Sequence, residues 1–219
     1  VGTEAVETRA EAAYGMVRRR ILDNVEYNMQ RFLDVSNEAG RGLAIANDGK
    51  YAFNMEEGRV QIAAVRSAIY AQGNSPDWWN EQETYEYTDI GTQTFWLVLK
   101  PHGDALPERE LHRIADKING AYEYLGDSVH VSSGRGRQVE SRFSLGRVEA
   151  ENVSLVLVKK AEDDGDFVLR LLETEGKDTE TKLIFREKTY PISMGHDEIA
   201  TYKISRDGSK IQKTNLLEV

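Results

Sequence analysis

Three short polar stretches constrain the fold of this chain more than any bulk property does: Asn47-Asp48-Gly49, Glu57-Gly58 and Arg206-Asp207-Gly208. Asn, Asp and Gly are the residues that reach positive φ at low cost, and tight hairpin turns require it. Each stretch also separates short apolar runs. "GLAIAN", "KYAFNM" and "RVQIAAVRSAIYA" flank the first two, and "EIATYKIS" and "KIQKTNLLEV" flank the third. Chain reversals so close together leave no room for long helices and favour antiparallel strands.

Other segments follow the same design. "TQTFWLVLK" is apolar, β-branched and aromatic, and it follows the long polar stretch "GNSPDWWNEQETYEYTDIG". Beyond Val148, "ENVSLVLVKK" and "DFVLRLLETE" are separated by the charged turn "AEDDG", and "TETKLIFREK" comes next. One helix is expected over "LPERELHRIADKING": Pro107 suits a first turn, Leu111, Ile114, Ala115 and Ile118 make an apolar stripe, and Gly120 stops it. The N-terminal "TEAVETRAEAAYGMVRRRI" has helix-forming composition. Its pattern has period two, however, with Val6, Thr8, Ala10, Ala12, Tyr14 and Met16 on one parity, and this favours a strand over a helix. "NVEYNMQRFLDVSN" carries the same ambiguity. The expectation is an all-β, mainly antiparallel fold with one short helix. A larger β domain over residues 1–146 precedes a small β-sandwich over 147–219.

Charge and composition exclude several classes of function. Lys and Arg total 28 against 37 Asp and Glu, a net charge of −9, so no field attracts phosphate backbones and nucleic acid is not an expected partner. With no cysteine there is no disulfide, thiolate metal site or thiol nucleophile, which suits a reducing, cytoplasmic setting. No apolar run approaches the roughly 18 residues of a membrane span. The chain opens on Val1, and "VGTEAVETRAEAAYG" has no signal-peptide design, so the expectation is an excerpt of a longer protein.

Candidate chemistry is sparse. His102-Gly103-Asp104 offers an imidazole and a carboxylate of the types zinc accepts, but no second ligand cluster accompanies them, and a turn between strand and helix accounts for the motif equally well. Glu81, Glu83, Glu86 and Asp89 supply carboxylates without the fixed separation that a glycosidase pair requires. Ser67 and Ser133 lack the context of a nucleophile, and "SSGRGRQ" lacks the ending of a phosphate loop. Trp78 and Trp79 could stack on a sugar face, or could pin their loop onto a sheet or a neighbour. Arg66, on an otherwise apolar run, needs a carboxylate partner such as Asp89, or a ligand. Arg170 lies in a run apolar on both parities, and Glu173 ends that run before Gly176; both read as structural.

Taken in order, these segments resemble the C-terminal β-rich region of α-mannosidases of glycoside hydrolase family 38. "EAAYGMVRRR" resembles the opening strand of that region, and "GLAIANDGKYAF" its asparagine-aspartate hairpin. "VRSAIYA" and "YTDIGTQTFWLVLKPHGD" resemble its arginine-serine strand and its aspartate-x-glycine segment running to proline-histidine. "ENVSLVLVKKAEDD", "VLRLLETEG" and "TNLLEV" resemble its terminal small sandwich. The sequence departs from the pattern at Gln72 and Gly73, where paired histidines are common in bacterial members, and at Ala52, where a glycine is usual.

The resemblance implies a mutarotase-like supersandwich followed by the small sandwich. It also implies an accessory role beside an N-terminal catalytic domain outside this chain. That domain would hold a divalent metal, usually zinc, and the aspartate nucleophile of a retaining mechanism acting on mannose-containing glycans. His102-Gly103-Asp104 matches the family's metal motif in spelling only, so this chain itself is expected to contribute neither catalytic residues nor metal ligands. Arg66, Tyr70, Asp89 and Gln93 are the substrate-facing candidates that help to wall the cleft. A free-standing carbohydrate-binding module built on Trp78 and Trp79 and a purely structural domain that forms homo-oligomers are the alternatives.

Overall fold

The computed structural model describes residues 5–13, 15–22, 25–69, 84–120 and 142–218. The chain divides into two compact units, Val1–Asn119 and Gly120–Val219. Among the described residues every strand pairing is antiparallel and there is one α-helix, α1 (Glu108–Asn119), so the fold is all-β with one short helix.

The first unit holds β1 (Glu7–Ala12), β2 (Gly15–Arg20), β3 (Glu26–Asn28), β4 (Phe32–Ser36), β5 (Gly42–Asn47), β6 (Ala52–Glu56), β7 (Arg59–Ile62) and β8 (Leu97–His102). They form a five-stranded sheet in the order β2-β1-β4-β5-β8 and a three-stranded sheet in the order β3-β6-β7. Alternation decides how the layers stack. Ala10, Leu33 and Val35 on one face of the larger sheet meet Met29, Phe53 and Met55. Phe32, Ala44 and Ala46 on the opposite face meet Leu111, Ile114 and Ala115 of α1. The larger sheet is therefore covered on both sides, and the period-two N-terminal segment is β rather than helix, though as two paired strands, β1 and β2, rather than one.

Two strands are shorter than the apolar runs that contain them. "RVQIAAVRSAIYA" is strand only to Ile62, because its partner β6 begins at Ala52; the Ala63 N–H to Ala52 carbonyl bond closes the ladder. "TQTFWLVLK" becomes strand only at Leu97, opposite Asn47, where β5 ends and the turn begins. The turn itself is held by Asn47, whose Oδ1 accepts the N–H groups of Gly49 at 2.9 Å and Lys50 at 2.7 Å.

The second unit is a sandwich. Its strands are β9 (Gly146–Val148), β10 (Val153–Lys160), β11 (Phe167–Glu173), β12 (Thr179–Phe185), β13 (Lys188–Met194), β14 (Ile199–Ile204) and β15 (Ile211–Thr214). Sheets β10-β11-β14-β15 and β13-β12-β9 share one core, in which Leu169, Leu171, Tyr202 and Ile204 pack with Leu183, Phe185, Ile192 and Met194. Strand β13 is absent from the sequence reading, and Pro191 lies inside it. Proline lacks the N–H that a central strand needs, and here it sits on an edge strand, where the loss is tolerated.

Candidate functional site

The residues proposed from sequence to face a substrate lie beside β7 and β8. Arg66 follows the end of β7, and its carbonyl accepts the Ala68 N–H at 3.1 Å. The Ala68 carbonyl accepts both the Thr88 N–H at 2.8 Å and the Thr88 hydroxyl at 3.2 Å. An isolated antiparallel bridge joins Ile69 to Tyr87. Asp89 adopts φ +56°, and its carbonyl accepts Gln93 Nε2 at 3.4 Å. These bonds bring the segments bearing Arg66, Asp89 and Gln93 together. All three side chains are exposed, and Arg66 makes no ion pair with Asp89. Among the described residues Arg66 lies outside the strands rather than on one. Exposed guanidinium, carboxylate and carboxamide groups on neighbouring segments are of the types that recognise hydroxyls. Tyr70, Trp78 and Trp79 lie outside the described residues.

The same region carries exposed apolar surface. Trp96 is 70% exposed, Leu99 59% and Ile90 75%. Strand β8 is an edge of the larger sheet, with alternate residues Leu97, Leu99 and Pro101 turned outward. Among the described residues β8 is paired on one side only, and the apolar side chains around it are a feature of docking surfaces.

His102-Gly103-Asp104 has a different role from the one its spelling suggests. His102 Nε2 lies 2.7 Å from Asp34 Oδ1, and Nδ1 lies 2.8 Å from the backbone carbonyl of Asp104. Both ring nitrogens are directed at oxygen acceptors inside the unit, and Asp104 contributes its carbonyl rather than its carboxylate. Asp34 is fully buried and also accepts Arg9 Nε at 3.0 Å and Nη2 at 2.6 Å, while Arg9 Nη1 reaches the Leu106 carbonyl at 2.7 Å. The residues present do not fit a divalent metal here, and no group of three or more candidate ligands occurs among the described residues. The motif fastens β8 and the segment ahead of α1 onto β1 and β4. Beside it, a groove of about 510 Å³ is lined by Asn37, Arg41, Leu43, Pro101 and His102.

Sequence reasoning missed a second buried cluster. Glu11, on β1, receives Arg31 through its backbone N–H at 2.9 Å and its guanidinium at 2.5–3.0 Å. Arg31 also reaches Asp116 Oδ1 at 2.6 Å and approaches His112 Nδ1 at 3.4 Å. The signal available in the sequence was the alternation of Arg9 and Glu11 on β1, which became a buried face once α1 covered it.

In the second unit, Arg170 and Glu173 do not pair. Arg170 Nε donates to Thr201 Oγ1 and Nη2 to the Leu216 carbonyl, both at 3.3 Å. Glu173, 1% exposed, accepts Asn152 Nδ2 at 2.8 Å and the backbone N–H groups of Glu175, Lys177 and Asp197 at 2.9–3.0 Å. Both residues are structural.

Comparison with known proteins agrees with the architecture. Residues 152–219 match the model of the "Glycosyl hydrolases family 38 C-terminal beta sandwich domain". Over 172 residues the chain is 25% identical to Alpha-mannosidase G of Dictyostelium discoideum, covering 76% of the chain and 14% of that protein. A solved α-mannosidase from Enterococcus faecalis V583 shares the fold at a TM-score of 0.62 and 14% identity, over 93% of this chain and 24% of that one. A glycosyl hydrolase family 38 protein from Enterococcus faecalis does so at 0.61 and 15%, over 93% and 25%. The chain therefore spans about a seventh of the curated relative and about a quarter of each solved chain.

Proposed function

We propose that this chain is the C-terminal accessory region of a longer α-mannosidase, given that residues 152–219 match the family 38 C-terminal β-sandwich domain. The observation that carries this reading is the pairing of that match with the coverage of Alpha-mannosidase G, which is wide on this chain and narrow on the relative. On this reading the chemistry lies in the part of the relatives that this chain does not span. A divalent metal, expected to be zinc, and a retaining mechanism on terminal α-mannosides belong there. Arg66, Asp89 and Gln93, with Tyr70, face the sugar from the rim of the cleft. The exposed apolar surface around Trp96, Ile90 and Leu99 is where the catalytic part of the same polypeptide docks.

The test is hydrolysis of a nitrophenyl α-mannoside, with added zinc, by the 219-residue chain and by the longer polypeptide that contains it. An inactive chain beside an active longer polypeptide supports the accessory role, and turnover by the chain alone overturns it. In the longer polypeptide, Arg66→Ala is expected to raise KM or lower kcat without unfolding; unchanged kinetics would remove Arg66 from the rim. Quenching of the tryptophan fluorescence of the isolated chain by mannose oligosaccharides would instead favour a carbohydrate-binding module.

A further inference from the structure

Helix α1 is fixed to the larger sheet of the first unit by contacts of three kinds. Leu111, Ile114 and Ala115 pack on Phe32, Ala44 and Ala46. Around this apolar patch, Glu108 pairs with Arg18, Glu110 with Lys100 at 2.5 Å, and Asp116 with Arg31 at 2.6 Å. Inside the ring of ion pairs lies His112, 4% exposed, its imidazole edge-on to Phe32 at 5.0 Å between ring centres and 78° between planes.

The surroundings of that imidazole define its state. Nδ1 faces Arg31 Nη2 at 3.4 Å, and a guanidinium has donors only. A neutral ring with its lone pair on Nδ1 satisfies this contact. We propose that His112 is an acid-released latch: a proton on its ring loosens α1 from the sheet and opens the apolar face formed by Phe32, Ala44 and Ala46. The proton would convert the acceptor facing Arg31 into a second cation on a buried ring.

The charged groups around the ring do not undo this. Glu11 of β1 lies 3.7 Å from Nδ1 with both oxygens also held by Arg31; it is the largest influence after burial and favours the charged ring without overcoming burial. Asp116 and Glu108 act from α1 itself, Asp116 from an exposed position. Strand β5 meets the helix with Ala44, Ala46 and the Asn47 carbonyl, which accepts Asn119 Nδ2, none of them charged, and Lys100 of β8 is committed to Glu110. Burial is the largest influence and holds the imidazole below its ordinary range; Arg31 adds to it, while Glu11, Asp116 and Glu108 oppose it. A histidine depressed in the folded state contributes stability that is present above its unfolded value of about 6.5 and is lost as pH falls through the folded value.

Hydrogen exchange of the 219-residue chain from pH 7.5 to 5, corrected for intrinsic exchange, tests the latch. Amides of α1 are expected to lose up to about tenfold protection per pH unit below about pH 6.5, the limit for one proton, while β11 and β14 of the other unit keep theirs. His112→Phe keeps the ring packing without a titrating group and is expected to abolish the loss. If that variant lacks native β structure at pH 7, His112→Gln, neutral and able to accept from Arg31, replaces it. Constant α1 protection down to pH 5 in the unsubstituted chain overturns the proposal, as does an equal loss in a folded variant.

Discussion

The carboxylate of Glu173 accepts the backbone N–H of Asp197 at 2.9 Å, tying the end of β11 to the turn that leads into β14. Burial alone would raise this carboxyl. The N–H groups of Asp197 and Glu175, Asn152 Nδ2 and the Lys177 N–H outweigh burial and hold it below the ordinary range. A depressed carboxyl contributes stability that is present above its unfolded value of about 4.3 and is lost as pH falls through the lower folded value. Glu173→Gln removes the charge that these donors serve. It should destabilise the second unit by about 2 kcal/mol at pH 7 and flatten the acid limb of its stability curve. Hydrogen exchange of β11 and β14 at pH 7 and pH 4 would read both effects; an unchanged acid limb would show that Glu173 is not the responsible group.

Arg9 and Asp34 form a buried ion pair that His102 completes. Removing one member strands the other without water, so Asp34→Asn or Arg9→Met alone should cost about 3–5 kcal/mol. The double variant Arg9→Met/Asp34→Asn should cost less than the sum of the single changes. All three tryptophans lie in residues 1–119, so urea unfolding followed by tryptophan fluorescence reports this unit selectively.

Gly42 lies opposite Ser36, where β4 and β5 approach closely. A Cβ on Gly42 would sit 2.1 Å from the Val35 carbonyl oxygen and 2.9 Å from Ser36 Cα, both backbone atoms. Gly42→Ala should therefore destabilise the first unit by about 1–3 kcal/mol. Gly15→Ala, where an added Cβ meets nothing within 4 Å, should fall within about 0.5 kcal/mol of the unsubstituted chain. Thermal melts of the two variants make the comparison directly.

Leu99 and Leu33 separate docking from folding. Leu99 is 59% exposed and Leu33 is fully buried. Leu99→Ser should leave the stability of this chain within about 0.5 kcal/mol, and Leu33→Ala should cost about 2–5 kcal/mol. In the longer polypeptide the order should narrow, because Leu99 is then covered; an unchanged Leu99 effect there would argue that this face stays open.

The hairpins and the helix were legible because their causes are local. Asn47 bonds its own turn, and the Leu111, Ile114, Ala115 and Ile118 stripe is visible in one window of sequence. Strand ends were less legible, since Ile62 and Leu97 are set by where β6 begins and β5 ends. The Arg9–Asp34–His102 cluster was hidden for a related reason: its members lie 25 and 68 residues apart, and only the sheet order brings them together. His102 and Asp104 were noticed for their spacing, yet the partner that matters was Asp34. On the candidate rim, the neighbouring placement of the segments bearing Arg66 and Asp89 follows from the Ile69–Tyr87 bridge, a pairing between residues 18 apart that no single window of sequence displays.

The position of β8 also governs the order in which the first unit assembles. Hairpins β1–β2, β4–β5 and β6–β7 close over short contour lengths, whereas β8 must return to β5 across a wide gap: Trp96 and Asp48, joined by a 2.8 Å bond, are 48 residues apart. Closing such a loop costs conformational entropy before its contacts can repay it, so β8 is the late-arriving strand. Until it arrives, the β5 backbone is an unpaired edge, and a second nascent chain can compete for it. Slow refolding at high protein concentration should therefore give intermolecular pairing at β5, and dilution should suppress it.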